Sequence, residues 1–172
     1  MGKKNRNKIW NSVFGLRSSH KRSPEGSEKS QISEPAVSYN ISVINFANQL
    51  ISASASDLEN LQIPGYFVKQ LESATDLDAI QLASILGMSK SKYYRVLKEE
   101  VLELNEVDVL ASLLKLWKMG INAFDQIAED FDEFLNTTNT NLGRKPIDLL
   151  KTENGRREVE KALGRIEYGL YG

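Results

Sequence analysis

Catalysis near neutral pH needs a group that can move a proton, attack a carbon or phosphorus centre, or hold a metal. This sequence is poor in all three. Its one histidine, His20, lies in the polar run Arg17-Ser18-Ser19-His20-Lys21-Arg22-Ser23-Pro24-Glu25-Gly26-Ser27. A Ser-His-Asp triad, a histidine metal cluster and an H-E-x-x-H helix are therefore all excluded. The absence of cysteine removes disulfides and thiolate chemistry, and allows a reducing compartment. There is no Walker loop and no dinucleotide fingerprint. The densest carboxylate group is Glu129, Asp130, Asp132 and Glu133. At helical spacing these fall mainly opposite the Phe124–Phe131 stripe, which reads as a solvated face rather than paired catalytic acids. The sequence thus reads as a non-enzyme with no cofactor and no metal site.

The chemistry that remains is recognition. Residues 79–98 have the form of a helix-turn-helix, with a small residue, Ala83, where two helices would touch and Gly87 four residues later at the turn. A reversal that short needs positive φ, which glycine adopts without steric cost. Leu82, Leu86, Met88, Tyr93 and Val96 occupy the apolar positions that would lock the pair. The outward residues of the second helix are Ser89, Lys90, Ser91, Lys92, Tyr94, Arg95 and Lys98. Its four cations, with no acid before Glu99, suit phosphates and guanine edges of a major groove, and Ser89 suits an N-cap beside a phosphate. The plainer reading of the same segment is a helical hairpin with a solvated basic face.

The elements that must position this segment are helical throughout, since no stretch alternates in period two for long enough to make a sheet. In a chain of 172 residues with 41% hydrophobic and 26% charged residues, one ordinary core or two very small ones can form. Helical periodicity begins at Ile41. A first helix over 41–51 carries Ile44, Ala47 and Ile51, and Ser56-Asp57-Leu58-Glu59 has capping-box spacing. Pro64 suits the first turn of a helix carrying Phe67, Val68 and Leu71. Helices over 78–86 and 90–99 form the helix-turn-helix. Asn105 reads as the N-cap of a fifth helix with Val107, Leu110, Leu114 and Trp117 on one stripe, ending near Gly120. A sixth over 123–135 repeats Phe124, Ile127, Phe131 and Phe134. After a polar loop, Pro146 opens a one-turn helix, and Thr152 caps a last helix bearing Val159, Ala162, Leu163 and Ile166.

The strings Phe134-Leu135-Asn136-Thr137-Thr138-Asn139, Leu142-Gly143-Arg144-Lys145-Pro146-Ile147-Asp148-Leu149-Leu150, Thr152-Glu153-Asn154-Gly155 and Leu163-Gly164-Arg165-Ile166-Glu167-Tyr168-Gly169 resemble the C-terminal domain of the Xre/ParS-type antitoxins encoded beside RES-domain toxins. The resemblance reaches back to the helix-turn-helix and covers about residues 60–172. Three departures mark the loop: Phe134-Leu135 replaces the family's usual Trp-Leu, Thr138 stands where a proline is common, and Arg144 and Lys145 replace a second glycine and a threonine. The loop is expected to persist with a locally different shape. The resemblance implies a homodimer whose C-terminal domain covers the NAD-binding cleft of a RES-domain, NAD-degrading toxin, and whose helix-turn-helix represses the shared operon. The toxin-binding candidates it indicates are Asn139, Leu142, Gly143, Arg144, Pro146, Arg165, Glu167, Tyr168, Gly169, Leu170 and Tyr171. For Leu142, Pro146 and Leu149, packing within the chain is the competing role.

The expectation is therefore an all-α protein in three parts: residues 1–40 as a basic arm and disordered linker, 41–102 as a helix-turn-helix domain, and 103–172 as a toxin-binding domain. Its partners are a RES-domain toxin and operator DNA. Without a membrane span or a clean signal peptide, the cytoplasm is the default location and no membrane partner is expected. Two other functions share parts of this reading: a stand-alone helix-turn-helix regulator without a toxin, and an immunity protein against a RES-type effector without DNA binding. The arm stands apart. Residues 1–30 hold eight Lys/Arg against two Glu, while the other residues hold fourteen basic and twenty-one acidic side chains. Ile9, Trp10, Val13 and Phe14 would share one side of a short helix that needs a partner to fold. An unstructured tail open to proteolysis is the plain alternative; among partners, charge favours duplex phosphates over an anionic membrane or an apolar groove on the toxin or the antitoxin dimer.

Overall fold

A computed structural model describes residues 45–75 and 77–169. The basic arm, the linker, residues 41–44, Leu170 and Tyr171 lie outside the described residues. The fold is all-α, as its sequence periodicity implies. Its helices are α1 (45–52), α2 (Ala55–Leu58), α3 (Tyr66–Ala74), α4 (Ala79–Ile85), α5 (Lys90–Glu99), α6 (Leu104–Ala123), α7 (Ala128–Asn136), α8 (Pro146–Leu149) and α9 (Glu153–Glu167). Extended pairing among the described residues is limited to the isolated bridges Pro64–Val101 and Asn139–Arg144.

Most helix boundaries follow local chemistry. Asp78 caps α4 by accepting from Ile80 N and Gln81 N, and Gln81 returns the bond to Asp78 N. Thr152 Oγ1 accepts from Gly155 N at the head of α9. The α2 capping box begins at Ser54 with Asp57 in the third position, two residues before the box expected at Ser56. Pro64 does not open α3; it precedes the Gly65 cap and pairs with Val101. The reason is steric: a Cβ on Gly65 would stand 1.8 Å from Val96 O, so the chain must pass α5 before it can turn into helix. α6 is capped at Glu103 rather than Asn105, because the Glu106 carboxylate accepts from Glu103 N and closes the capping box there.

α6 is the axis of the molecule. Val107, Leu110, Leu114 and Trp117 are buried as expected, but so are Ala111, Leu113, Leu116 and Ile121. Burial so far round a helix means packing on several sides. The apolar core is accordingly one continuous cluster from Ala47 to Leu163. α9 lies along α6, and the Phe131 ring of α7 sits directly on the α6 backbone, where a Cβ on Gly120 would meet it at 2.2 Å.

The helix expected over 123–135 is divided. Asp125 and Gln126 have φ of 50° and 68°, and α7 begins only at Ala128. Gln126 N donates to Ile121 O at 2.8 Å and Asp125 N to Asn122 O at 3.2 Å, the paired bonds that close a helix end in left-handed conformation. Phe124 nevertheless keeps company with Phe131 and Phe134, at ring-centroid distances of 6.2 and 5.5 Å.

Candidate functional site

The segment 79–98 folds as two helices about a closed turn. Met88 N donates to Ala83 O at 2.8 Å and Gly87 N to Ser84 O at 3.3 Å, and Gly87 has φ of +70°. Nothing lies within 4 Å of a Cβ built on Gly87, so the glycine is required by backbone conformation and not by space. Ala83, Leu82, Leu86, Met88, Tyr93 and Val96 are buried. Tyr93 Oη donates to Glu72 Oε2 at 2.9 Å, tying α5 to α3. Burial, followed by that bond to a carboxylate, raises the phenol well above its ordinary range.

The outer face of α5 presents Lys90, Ser91, Tyr94, Arg95 and Lys98 to solvent, with Tyr94 47% exposed. Ser89 caps the helix by accepting from Lys92 N. Two of the candidate cations are engaged within the chain. Arg95 Nε donates to the Glu100 carboxylate at 2.9 Å, with both side chains exposed. In such a pair the gain is small and the guanidinium can swing to another anion. Lys92 is held differently: its Nζ lies 2.6 Å from Glu106 Oε1 and 2.9 Å from Glu103 Oε2. Glu106 is only 3% exposed, and its other oxygen closes the cap of α6. Glu106 first, then Glu103, raises the Lys92 ammonium above the ordinary lysine range. Lys92 thus joins α5 to the head of α6, a role that helix spacing alone did not reveal.

At the other end, residues 139–144 form a tight reversal. Asn139 Oδ1 accepts from Asn141 N at 2.9 Å and Leu142 N at 3.2 Å, and Gly143 N donates to Asn139 O at 2.9 Å. Gly143 takes φ of +67°. The Asn139 side chain is therefore spent on shaping the loop, a demand that sequence reading missed although Asn is the residue such turns favour. Leu142 is part-buried against the core and Pro146 is buried, while Gly143, Arg144, Arg165, Glu167, Tyr168 and Gly169 face solvent. Tyr168 is 76% exposed. Asn139 and Ile166 both line a groove of about 390 Å³ with Phe124, Asp130, Glu133, Phe134, Thr137 and Thr138. The loop and the end of α9 therefore meet at one opening.

Two features absent from the sequence reading hold that end in shape. Arg156 is 5% exposed; its Nε donates to Ser112 Oγ at 3.1 Å and its Nη1 to Leu150 O at 3.0 Å. Burial lowers its pKa, opposed by Glu153, Asp108 and Glu160. A Cβ on Gly155 would lie 2.0 Å from Leu149 O, so α9 can start only where it does if that position is glycine. Among the described residues there is no His, Cys, Asp or Glu group able to hold a metal ion. No helix among them is long and apolar enough to cross a membrane.

Residues 124–169 match the family described as the antitoxin Xre/MbcA/ParS C-terminal toxin-binding domain. The match runs from Phe124 through α7, the 139–144 reversal, α8 and α9. Among curated proteins none matches the chain.

Proposed function

We propose that this chain, whose residues 124–169 match the toxin-binding domain of the Xre/MbcA/ParS antitoxins, is an antitoxin of that type that neutralises a RES-domain, NAD-degrading toxin and represses its own operon. The observation that carries the first half is the coincidence of the matched segment with α7 to α9, on which Arg144, Arg165, Glu167 and Tyr168 are all exposed, at the 139–144 reversal and the end of α9. Arg144, Arg165, Glu167, Tyr168 and the tail are the contact residues of this reading, and they cover the toxin's NAD-binding cleft from a homodimer. Asn139, Leu142 and Pro146 serve it indirectly, by holding the loop.

The second half rests on the closed turn at Gly87 and the solvent-facing Lys90, Ser91, Tyr94, Arg95 and Lys98. In this reading Arg95 leaves Glu100 for the duplex, and Lys92 sets the pose of α5 instead of meeting phosphate.

Removing residues 168–172 tests neutralisation. The cut spares Gly164 and Ile166, which pack against Met119 and the core. The shortened chain is expected to stay helical yet fail to rescue cells expressing the toxin, whose NAD falls. Full rescue would place the contact elsewhere. For the operator, Arg95→Ala should weaken binding by about 1–3 kcal/mol if it reads a base. Unchanged gel shifts in a Lys90→Ala/Arg95→Ala variant would remove repression from the function.

A further inference from the structure

The groove lined by Phe124, Phe134 and Ile166 has an apolar floor and two exposed carboxylates, Asp130 and Glu133, at its side. At about 390 Å³ it falls in the size class that accepts several side-chain-sized groups. Glu129, Asp130, Asp132 and Glu133 make α7 acidic, with no basic residue in its last turn. The same chain holds a segment of complementary chemistry. Residues 1–17 contain Lys3, Lys4, Arg6, Lys8 and Arg17, no acid, and the apolar group Ile9, Trp10, Val13 and Phe14 at helical spacing.

We propose that this basic, aromatic N-terminal segment docks in the α7–α9 groove of its own chain, with Trp10 and Phe14 against Phe124, Phe134 and Ile166, and its cations beside Asp130 and Glu133. Three considerations favour this occupant. First, reach: residues 18–44, at up to ~3.3 Å per residue, are long enough to cross a body whose radius of gyration is about 14 Å, so the groove is accessible. Second, tethering raises the local concentration of the segment to the millimolar range, above that of a second copy. Third, the sign of charge selects the face. The exposed cations of α5, Lys90, Arg95 and Lys98, repel the segment, whereas α7 attracts it. Docking then removes from water a large apolar area of Trp10 and Phe14 that the polar residues 17–30 offer no means of burying.

The absence of cysteine from the chain allows a clean test. A nitroxide on Asn11→Cys in the otherwise full-length protein reports proximity by broadening backbone amide signals. Docking predicts broadening concentrated on residues 130–139 and 164–167, lost in Asp130→Lys/Glu133→Lys and in Trp10→Ser/Phe14→Ser. Both double variants change exposed or N-terminal residues, and an unchanged amide spectrum elsewhere establishes that they fold. Mixing spin-labelled chain with isotope-labelled, unlabelled-nitroxide chain separates one molecule from two. Even broadening, broadening on α5, persistence in either double variant, or broadening only in the mixture would each overturn the proposal. Contacts that arise only on adding duplex DNA would also overturn it and return the segment to phosphate binding.

Discussion

The two halves of the molecule fix their helices by different means. In the half that holds residues 79–98, small residues shape the path of the chain, with Ala83 buried before the turn, Gly87 at it and Gly65 under the Val96 carbonyl, and α5 is tied to its neighbours by Lys92 to Glu106 and Tyr93 Oη to Glu72. The outer face of α5 is left to solvent, so Lys90, Ser91, Tyr94, Arg95 and Lys98 can be exchanged at little structural cost. In the C-terminal half, a buried cation does much of the positioning, since Arg156 joins α9 to α6 through Ser112 and to the end of α8 through Leu150. The difference separates residues that face solvent from residues that hold the helices in place. A cation on the outer face of α5 can be lost with its partner alone. The loss of Arg156 or Gly155 moves a whole helix.

The largest effect that would sharpen this contrast is expected at Gly155. Gly155→Ala places a methyl group against the Leu149 carbonyl and should destabilise the fold by about 3 kcal/mol, the upper part of the overpacking range. Chemical denaturation measures it, and a cost below about 1 kcal/mol would mean that α9 can shift freely.

Next is the comparison of Lys92 with Arg95. Lys92→Ala leaves the buried Glu106 carboxylate without its cation and should lower the thermal midpoint, whereas Arg95→Ala should leave it nearly unchanged. Equal midpoints for the two variants would erase the distinction between positioning and contact residues on α5.

The response to pH follows from the same helix. The phenol of Tyr93 and the ammonium of Lys92 both have folded pKa values raised above their unfolded ones. The stability each contributes is fully present below its unfolded pKa and is lost as pH rises toward the folded value. Stability should therefore decline from about pH 10 upward, and Tyr93→Phe should flatten part of that decline. A Tyr93→Phe variant as alkali-sensitive as the parent would place the sensitivity elsewhere.

The smallest effect is at the turn between α6 and α7. Gln126 is exposed and carries φ of 68°, so Gln126→Gly should stabilise the protein by roughly 1 kcal/mol. A destabilised variant would mean that the glutamine side chain earns its place through a contact.

That turn also marks the limit of what was legible. Gly87 and the Asp125-Gln126 pair close their helices with the same pattern of hydrogen bonds. One was visible because glycine advertises positive φ, and the other was not, because Asp and Gln are far more often found at negative φ. Asn139 was likewise noted as a polar loop residue, but its bonds to Asn141 and Leu142 appear only once the loop is closed.

Apolar periodicity, the caps at Asp78, Ser89 and Thr152, and the glycine at 87 were enough to specify an all-α chain with two helices about a closed turn at Gly87, since each acts through neighbours within a few residues. The C-terminal strings were likewise enough to indicate the antitoxin family. Tertiary structure alone decided that α6 is central, that Lys92 belongs to Glu106, that Arg156 belongs to Ser112 and Leu150, and that Asn139 and Ile166 share a groove. Each of those pairings joins different structural elements, and a charge or an amide carries no mark in the sequence of which distant partner will neutralise it.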